Sequence, residues 1–435
     1  MRAAMRAVRR SGGRAVCLTA VLLTAGPPDP KGLPDGRRPT APSCDPDNGG
    51  VTLPDGFCAV LVADQVGAPR HLVVTPTGDL FVALESGRMG RGGILALRDT
   101  TGDGKADVRE SFGTQGGTGI ALGRGGLYFS TASTVYRYPM RAAGLTPLGD
   151  PDVIVKDLPA GGHSARNLAL SADGRWLFVN VGSPSNSCQE KDRSLESPGK
   201  DPCPELETRA GVWRFDASRT NQSQGDGKRY ATGIRNAVGL ALDPAGQLWA
   251  TQHGRDQLGQ NWPKLYTLEQ SAEKPSEELF PLNEGDDFGW PYCYHDIELG
   301  RLVLAPEYGG DGRKVDRCRD KKEPAVAFPA HWAPDGLVFY TGTQFPARYR
   351  GGAFIAFHGS WNRAPLPQQG YRVTFVPFKD GKPLGTSETF ADGFWHENGT
   401  GPQHRPVGVA QGPDGSLYVT DDAAGRIWRV MYKGR

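Results

Sequence analysis

The sequence lacks the short motifs that mark several large enzyme classes. It contains no P-loop, no HExxH and no CxxC spacing. No GxGxxG opens a predicted helix, and no GxSxG follows a predicted strand. These absences argue against P-loop phosphate chemistry, HExxH zinc catalysis, cysteine-bound zinc, a Rossmann-type nucleotide site and serine-hydrolase chemistry.

The chain also lacks an apolar run long enough for a membrane span. The run from Ala15 to Ala25 is well short of the ~20 residues that a spanning helix needs. Five arginines and no acidic residue lie within residues 1–25. A basic end, a short apolar core and a closing small residue predict a signal peptide over 1–25, rather than a cytoplasmic N-terminus, and hence an exported protein, periplasmic or extracellular.

An excess of charge of one sign is missing from the rest of the chain. Of 50 basic and 48 acidic residues, five basic ones lie in 1–25, so 45 basic residues remain against 48 acidic ones. We therefore expect no nucleic-acid partner and no membrane-binding patch. Residues 26–43 hold six prolines and little that can be buried, which predicts a tether to a folded domain over 44–435.

Cysteine is scarce, but its number is informative. One of the seven cysteines, Cys17, lies in the predicted signal peptide, and six follow it. An even number of cysteines in an exported chain indicates disulfides. The six fall into three couples that are local in sequence, and we predict the bonds Cys44–Cys58, Cys188–Cys203 and Cys293–Cys318.

Glycine and proline are plentiful, with 60 and 35 residues, and many of them belong to a repeat. Each copy is a glycine turn followed by an aromatic and β-branched strand, as in TPTGDLFVAL, DPAGQLWATQHG and GPDGSLYVTDD. Six such copies predict an all-β, six-bladed β-propeller, with a β-sandwich as the alternative. Two polar segments, 183–207 and about 257–329, interrupt the repeat, and each holds one cysteine couple. We expect both to be long loop insertions that a disulfide braces, because neither has an apolar core of its own.

In a propeller, loops from all blades converge over the central channel, so polar residues beside the repeated strands are candidate site residues. His163 follows two glycines and precedes a strand, which suits either a general base or a histidine that caps a loop. Arg235 with Asn236, and Arg405 beside His404, stand at matching points before strands that read V-G-(L/V)-A. Arginines that converge on one point of the channel predict an anionic ligand. Each arginine is also consistent with a structural ion pair that braces the neighbouring blade.

Two further segments carry candidate chemistry. In HGSWNR, His358 and Arg363 flank Trp361, an aromatic suited either to stacking on a flat cofactor or to the core. In DTTGDGKADVRE, oxygen-bearing side chains recur at the spacing of a twelve-residue calcium loop, although a solvated Asp–Gly hairpin explains the segment equally well. The predicted calcium ligands are Asp99, Thr101, Asp103, Asp107 and Glu110.

Five of these segments together resemble the glucose/sorbosone dehydrogenase family, and more closely its sorbosone-dehydrogenase-like branch. They are GGHSARNLALSADGRWLFVNVGSPSN, YATGIRNAVGLALDPAGQLWATQHGRD, EGDDFGWPYCY, LVFYTGTQFPARYRGGAFIAFHGSWNR and RPVGVAQGPDGSLYVTDDAAGRIWRV. The resemblance covers about residues 58–432. It implies a six-bladed propeller that binds pyrroloquinoline quinone (PQQ) and calcium.

The family resemblance also implies residue roles. His163 is the expected general base, which takes a proton from an aldose or sugar aldehyde while hydride passes to PQQ. Arg235 and Asn236 bind and polarise the quinone, and the backbone carbonyls of Gly254 and Arg255 hold the calcium ion. The other expected cofactor contacts are His358, Arg363 and Arg405. Electrons then pass to an external acceptor, namely a quinone, a cytochrome or a dye.

The chain departs from the family at one cofactor contact, where glucose-dehydrogenase relatives carry a lysine and this sequence offers Arg363. Two alternative functions stay open at this point. A calcium-dependent propeller lactonase needs carboxylates around a metal, and Glu85, Asp421 and Asp422 are the candidates at strand ends. A non-catalytic binding propeller has no need of both His163 and Arg235.

Overall fold

The structure is a computed structural model that describes residues 42–87, 90–395 and 403–434. The predicted signal peptide, 1–25, and nearly all of the predicted tether, 26–43, lie outside the described residues. The described part of the chain falls within one compact unit, Ala41–Arg435. Within it, no helix combines the length and the apolar character needed to cross a membrane.

The described chain is almost entirely β-structure. The strands of its first half are β1 (Phe57–Ala63), β2 (Pro69–Val74), β3 (Leu80–Gly87), β4 (Gly90–Arg98), β5 (Val108–Phe112), β6 (Ile120–Gly123), β7 (Gly126–Ser130), β8 (Val135–Tyr138), β9 (Asp152–Val155), β10 (Leu168–Leu170), β11 (Trp176–Val181), β12 (Gly211–Asp216) and β13 (Lys228–Thr232). Those of its second half are β14 (Leu240–Leu242), β15 (Leu248–Gln252), β16 (Glu277–Leu282), β17 (Asp286–Asp287), β18 (Cys293–Asp296), β19 (Arg301–Leu304), β20 (Val326–Phe328), β21 (Pro334–Phe339), β22 (Ala353–Phe357), β23 (Arg372–Val376), β24 (Phe378–Lys379), β25 (Lys382–Pro383), β26 (Glu388–Ala391), β27 (Pro406–Gln411), β28 (Leu417–Asp421) and β29 (Arg426–Tyr432).

Helices are few and short in the described residues. The two α-helices are α1 (Leu258–Asn261) and α2 (Leu268–Glu273). The 3-10 segments are Asn48–Gly50, Pro204–Glu207, Gln224–Asp226, Pro306–Tyr308, Asp316–Asp320 and Ala347–Tyr349.

Most of the strands form six sheets, the blades of a β-propeller, which are antiparallel except that β17 pairs in parallel with β13. Blade 1 is β2–β5, blade 2 is β6–β9, blade 3 is β10–β13 with β17 added at its edge, blade 4 is β14, β15, β16 and β20, blade 5 is β21, β22, β23 and β26, and blade 6 is β27, β28, β29 and β1. The first strands of the blades, β2, β6, β10, β14, β21 and β27, contact one another in turn, and β27 contacts β2 again. The predicted six-bladed propeller is therefore confirmed, and pairing of β1 with β29 closes the ring.

Packing between blades explains why many strands are apolar throughout instead of alternating. Strand β22 reads AFIAF and is buried along its whole length. Phe354 and Ala356 pack toward blade 6, whereas Ala353, Ile355 and Phe357 pack toward blade 4. A sheet covered on both faces has no solvent side, so both sets of side chains are apolar.

The sequence repeat corresponds to one hairpin of each blade, the turn between its first and second strands. In blade 4 the side chain of Asp243 accepts hydrogen bonds from the backbone N–H groups of Ala245 and Gln247, at 2.9 and 3.0 Å. An aspartate that bonds the backbone of its own turn stabilises the tight hairpin between the first two strands of this blade. Each second strand returns the chain to the end of the channel at which the first strand begins.

The three predicted disulfides, Cys44–Cys58, Cys188–Cys203 and Cys293–Cys318, are all present. The expectation that neither insertion has an apolar core is wrong. Within residues 257–329, β18 and β19 form a hairpin, and a buried cluster of Leu258, Tyr266, Tyr294, Val303 and Ala305 packs around it. The same segment contributes β16 and β20 to blade 4, so it is partly blade and partly a small added layer.

We expect the double variant Cys188→Ala/Cys203→Ala to lower the free energy of unfolding by about 3 kcal/mol, because the bond closes a loop of roughly 15 residues in the unfolded chain. Removing Cys293 and Cys318 in the same way breaks a bond that closes a longer loop, with a sequence separation of 25. Its loss is expected to be slightly larger, by about 0.5 kcal/mol. Urea denaturation of the oxidised proteins measures both. Midpoints that do not move in either variant contradict this account of the two braces.

Candidate active site

Charged side chains from four blades meet at one end of the central channel. His253 follows β15, and its Nε2 lies 3.0 Å from Oδ1 of Asp335. The other oxygen of Asp335 accepts from Arg70 at 3.1 Å, and Arg70 also bonds Asp422. Oδ1 of Asp422 lies 2.9 Å from Nε2 of His358. The ends of the repeated strands therefore share one connected network at this end of the propeller.

A cavity of about 210 Å³ opens beside this network. Most of its walls are polar, and they come from blades 3, 4 and 5 and from the insertion at 183–207. The lining residues are His163, Arg193, Arg235, His253, Gly254, Asp256, Glu277, His331, Ala333, Trp361 and Asn362.

The imidazole of His163 is held in one tautomer. Its Nδ1 lies 2.9 Å from the backbone carbonyl oxygen of Ser183, which only accepts, so Nδ1 carries the hydrogen. No described residue forms a hydrogen bond with Nε2. In the neutral ring this nitrogen is therefore unprotonated and carries a free lone pair. Burial, and then the nearby charge of Arg235, lower the pKa of His163 well below its ordinary value. The ring is therefore neutral at neutral pH and able to accept a proton at Nε2.

The guanidinium of Arg235 is buried at the cavity and is only 3% exposed. Its Nε and Nη2 donate to the backbone and side-chain oxygens of Asn186 at 3.2 and 3.1 Å. Nη2 also donates to Asp256 at 3.0 Å, and Nη1 donates to the carbonyl of Gly254 at 2.9 Å. Four of five N–H groups are occupied, and one on Nη1 is left for a ligand.

Asn236 follows Arg235 and is also buried. Its side-chain oxygen has no hydrogen-bond partner among the described residues. A buried amide oxygen without a partner costs free energy, so a bound group that donates to it is favoured here.

Asp256 connects two walls of the cavity. One carboxylate oxygen accepts from both Arg235 and Arg193, the latter at 2.8 Å, and the other accepts from the amide of Asn362 at 2.8 Å. Burial opposes ionisation, but Arg235, then His331 and Arg193, outweigh burial and hold the pKa of Asp256 well below its ordinary value. This carboxylate is charged and fixes the orientation of the guanidinium of Arg235.

A second carboxylate, Glu277, forms no ion pair within 4 Å with any described residue. It accepts from the backbone N–H of Gly254 at 2.9 Å. Burial raises the pKa of Glu277 to about 7. At its neighbour His253, burial is the largest effect and lowers the pKa, but the bond to Asp335 and the charges of Asp335 and Glu277 together outweigh burial, so the pKa of His253 is raised. The cavity therefore holds cations, a neutral base and oxygen ligands side by side.

Besides Asn236, three more residues that the sequence places at the cofactor do not line this cavity. The guanidinium of Arg363 is buried and donates to backbone carbonyls, those of Ala272 at 2.7 Å and Ala330 at 3.1 Å among them. Arg405 donates to the carbonyls of His358 and Gly359 at 3.0 and 2.7 Å. His358 is engaged by Asp422. These side chains support loops of the site, and the structure does not bring them to His163 and Arg235.

Arg255 also points away from the cavity. Its side chain forms a buried ion pair with Glu307 in the insertion at 257–329. The residue follows Gly254, so a role in the site rests on its backbone carbonyl and not on its guanidinium.

The proposed calcium loop does not gather its ligands. Asp99 accepts backbone N–H groups of its own turn, and Asp107 accepts from Thr100 at 2.7 Å. Among the described residues, no group of three from Asp99, Asp103, Asp107 and Glu110 comes close enough to share one ion. Thr101 bonds Asp99. The arrangement is that of the alternative, a hydrogen-bonded Asp–Gly turn between β4 and β5.

The carboxylates that a lactonase needs are likewise separated. Asp421 bonds His404 at 2.7 Å, Asp422 bonds Arg70 and His358, and Glu85 does not line the cavity. No ring of carboxylates around a metal position forms from these three residues.

The family model described as TrAA12-like matches residues 51–433. The chain belongs to the TrAA12-like family. The narrower sorbosone-dehydrogenase-like branch stays a prediction.

Among curated relatives, this TrAA12-like chain is 24% identical over 422 residues to a pyrroloquinoline quinone-dependent pyranose dehydrogenase of Coprinopsis cinerea, covering 87% of the chain and 54% of that protein. It is 28% identical over 277 residues to an uncharacterized protein of Borreliella burgdorferi, covering 62% of the chain and 61% of that protein. The chain thus spans about half to three fifths of the length of these relatives.

Two solved structures are similar to the propeller. The holo pyranose dehydrogenase PQQ domain of Coprinopsis cinerea superposes with a TM-score of 0.72 at 21% identity, covering 90% of this chain and 98% of that one. A calcium structure of Trichoderma reesei carbohydrate-active enzymes family AA12 superposes with a TM-score of 0.71 at 21% identity, covering 88% and 97%. At this identity the likeness establishes the fold of the TrAA12-like chain.

Sequence reasoning missed five side chains that line the cavity of this TrAA12-like protein, namely Arg193, Asp256, Glu277, His331 and Asn362. Asp256 directly follows Arg255, and Asn362 lies between Trp361 and Arg363 in HGSWNR, so both adjoin residues already named as candidates and adjacency was a usable signal. Arg193 and Glu277 come from or beside the insertions, where no repeat indicates their position.

Proposed function

We propose that this chain is a PQQ- and calcium-dependent sugar dehydrogenase in which His163 is the general base. The observation that carries the proposal is the meeting of two groups in one cavity. These are the free Nε2 of a neutral imidazole and a buried guanidinium with one N–H unoccupied.

The residues present fit an anionic, quinone-bearing cofactor. Arg235 offers its remaining N–H to an acceptor oxygen of such a cofactor, and Arg193 adds a second guanidinium to the cavity. Calcium prefers oxygen ligands, and Gly254, whose carbonyl accepts from Arg235, lines the cavity together with the carboxylate of Glu277. We assign the calcium to the backbone carbonyls of Gly254 and Arg255, and the quinone to Arg235 and Asn236.

The chain's own residues prepare one proton transfer. The Ser183 carbonyl accepts a hydrogen bond from Nδ1–H of His163, which leaves the lone pair on Nε2. This lone pair takes the proton of the hydroxyl group on the sugar carbon that is oxidised. Asp256 keeps the Arg235 guanidinium in a fixed plane. PQQ with calcium supplies, when bound, an electrophilic quinone that takes up the hydride. The sugar loses one proton and one hydride, and an external acceptor later removes both electrons.

The substrate class and the cell compartment are part of the proposal. The name of the Coprinopsis relative, a pyranose dehydrogenase, supports a pyranose or another aldose as the donor. Three disulfides support an oxidising compartment, so we place the protein outside the cytoplasm, in the periplasm or the medium.

Reconstitution tests this function directly. We expect the purified chain, given PQQ and Ca²⁺, to reduce an artificial dye with at least one common pyranose as donor, and neither component alone to support the reaction. A quinone spectrum that no sugar changes, in protein shown by titration to bind PQQ, contradicts the dehydrogenase.

A further inference from the structure

Trp361 is unusually exposed for a tryptophan, the residue type with the largest side chain. It is 64% exposed and it lines the cavity that holds His163 and Arg235. Large exposed aromatics at the edge of a polar cavity are typical of binding surfaces, because the exposed indole gains free energy when a ligand covers it.

The backbone before Trp361 is fixed, so its exposure is imposed by the loop. Ser360 donates from its backbone N–H to Gln369 at 2.8 Å and from its hydroxyl to Gln368 at 2.7 Å. Gly359 has a φ of 90°, and a Cβ at this position would overlap the ring of Tyr371 at 2.2 Å. The chain therefore reaches Trp361 in a single conformation.

The backbone after Trp361 is tied to the site itself. The amide of Asn362 donates to Asp256 at 2.8 Å, and Asp256 accepts from Arg235 at 3.0 Å. The buried guanidinium of Arg363 then anchors the loop to backbone carbonyls. Two hydrogen bonds thus link the residue beside Trp361 to the guanidinium assigned to the quinone.

The chemistry around the indole suits a polyhydroxylated ring. Trp361, with its flat apolar indole, lines the same cavity as the hydrogen-bonding side chains of Asn362 and Arg193. A pyranose has apolar C–H faces and hydroxyl groups around its edge, so it matches both features. A cofactor held at the 3%-exposed Arg235 sits deep in the site, whereas Trp361 lies at the solvent side.

We propose that Trp361 is the platform on which the pyranose ring of the substrate stacks, and that it determines sugar affinity. This inference rests on the proposed dehydrogenase function. The platform positions the sugar with its oxidised carbon toward Nε2 of His163, and it takes no part in proton or hydride transfer.

The test compares three substitutions at one position in the full-length protein loaded with PQQ and Ca²⁺. For the pyranose that wild type oxidises fastest, Trp361→Ala and Trp361→Leu should raise KM about tenfold and change kcat less than about threefold. Trp361→Phe keeps an aromatic face and should restore KM to within about threefold of wild type. Leu148→Ala, at a leucine 57% exposed and outside the cavity, is the matched control and should change neither constant.

Two binding measurements separate this inference from the dehydrogenase itself. The PQQ affinity of all four variants, titrated by quinone absorbance, should match that of wild type. If Trp361→Ala loses PQQ affinity while its KM for the sugar is unchanged, the indole belongs to the cofactor site and the platform is overturned. Titrating cofactor-free protein with the same pyranoses by calorimetry, a readout that does not use Trp361 as its reporter, covers the case of an inactive wild type. Saturable binding that Trp361→Ala abolishes then keeps the platform while the dehydrogenase fails. Turnover with an unchanged KM in Trp361→Ala and Trp361→Leu keeps the dehydrogenase and overturns the platform.

Discussion

His163→Ala is expected to lower kcat for sugar oxidation by about a thousandfold, the scale that a positioned general base contributes. The reason is the state of the ring: Nδ1–H is held by the Ser183 carbonyl, and Nε2 is a free lone pair in the same cavity as Arg235. PQQ affinity should change by less than about threefold, because the groups assigned to the quinone are Arg235 and Asn236. Stopped-flow reduction of the bound quinone measures the step, and quinone absorbance measures the affinity.

Ser183→Ala is the matched control for His163→Ala. It removes the hydroxyl that lies 3.0 Å from Nδ1 but leaves the backbone carbonyl at 2.9 Å that fixes the tautomer. Its kcat should fall no more than about fivefold. If His163→Ala keeps more than a tenth of wild-type kcat, another group takes the proton and the assignment of the base fails.

The pH profile gives a second check on the same residue. A base works only when unprotonated, and burial followed by the charge of Arg235 lowers the pKa of His163 below its ordinary value. The active neutral form therefore persists below pH ~6.5, the ordinary pKa of a histidine. We expect the acidic limb of kcat/KM to lie below that pH, and a limb above it contradicts the lowered pKa.

The repeat made the propeller predictable because one turn recurs at the same place in every blade. In blade 4, Asp243 bonds the backbone of its own turn, so local sequence fixes that hairpin, and the number of copies of the repeat indicates the number of blades. The same logic placed Arg235 at the start of a first strand, where it faces the channel. Disulfide pairing was predictable for a related reason, since each couple is close in sequence.

Side-chain partners were not predictable in the same way. Arg405 matches Arg235 in its position before a blade strand, yet its guanidinium turns to the carbonyls of His358 and Gly359. The sequence indicates that an arginine precedes a blade strand, but it does not show which hydrogen-bond acceptor the guanidinium contacts. The predicted calcium loop is a second case, because Asp99 and Asp107 accept hydrogen bonds from the backbone and from Thr100, which the spacing alone does not show.

Part of the site could not be predicted, because its residues lie in the insertions and the insertions belong to no repeat. Arg193 lies in the loop that Cys188–Cys203 braces, and it reaches Asp256 from outside the blades. Glu277 opens β16, a blade strand that is separated from its blade neighbour by two short helices. Only the folded chain brings these residues to Arg235.

Arg235→Met should abolish measurable PQQ binding, with an affinity loss of more than about a hundredfold, since a buried hydrogen-bonded charge pair is worth 2–5 kcal/mol in a complex. It should also destabilise the protein by about 3 kcal/mol, at the low end for breaking a buried ion pair. The low end applies because Asp256 keeps its bonds to Arg193 and Asn362. Quinone absorbance titration and urea denaturation measure the two effects separately.

Arg235→Lys and Arg98→Ala show whether the guanidinium itself is required. Lysine keeps the charge but not the planar fork that bonds Asn186, Gly254 and Asp256 together, so Arg235→Lys should retain most of the stability and still lose more than about tenfold in PQQ affinity. Arg98 forms a comparable forked pair with Asp79 outside the cavity, at 2.6 and 2.8 Å, and Arg98→Ala should leave PQQ affinity unchanged. If Arg235→Lys binds PQQ as tightly as wild type, charge alone suffices. The fixed plane that Asp256 imposes on Arg235 then has no part in holding the quinone.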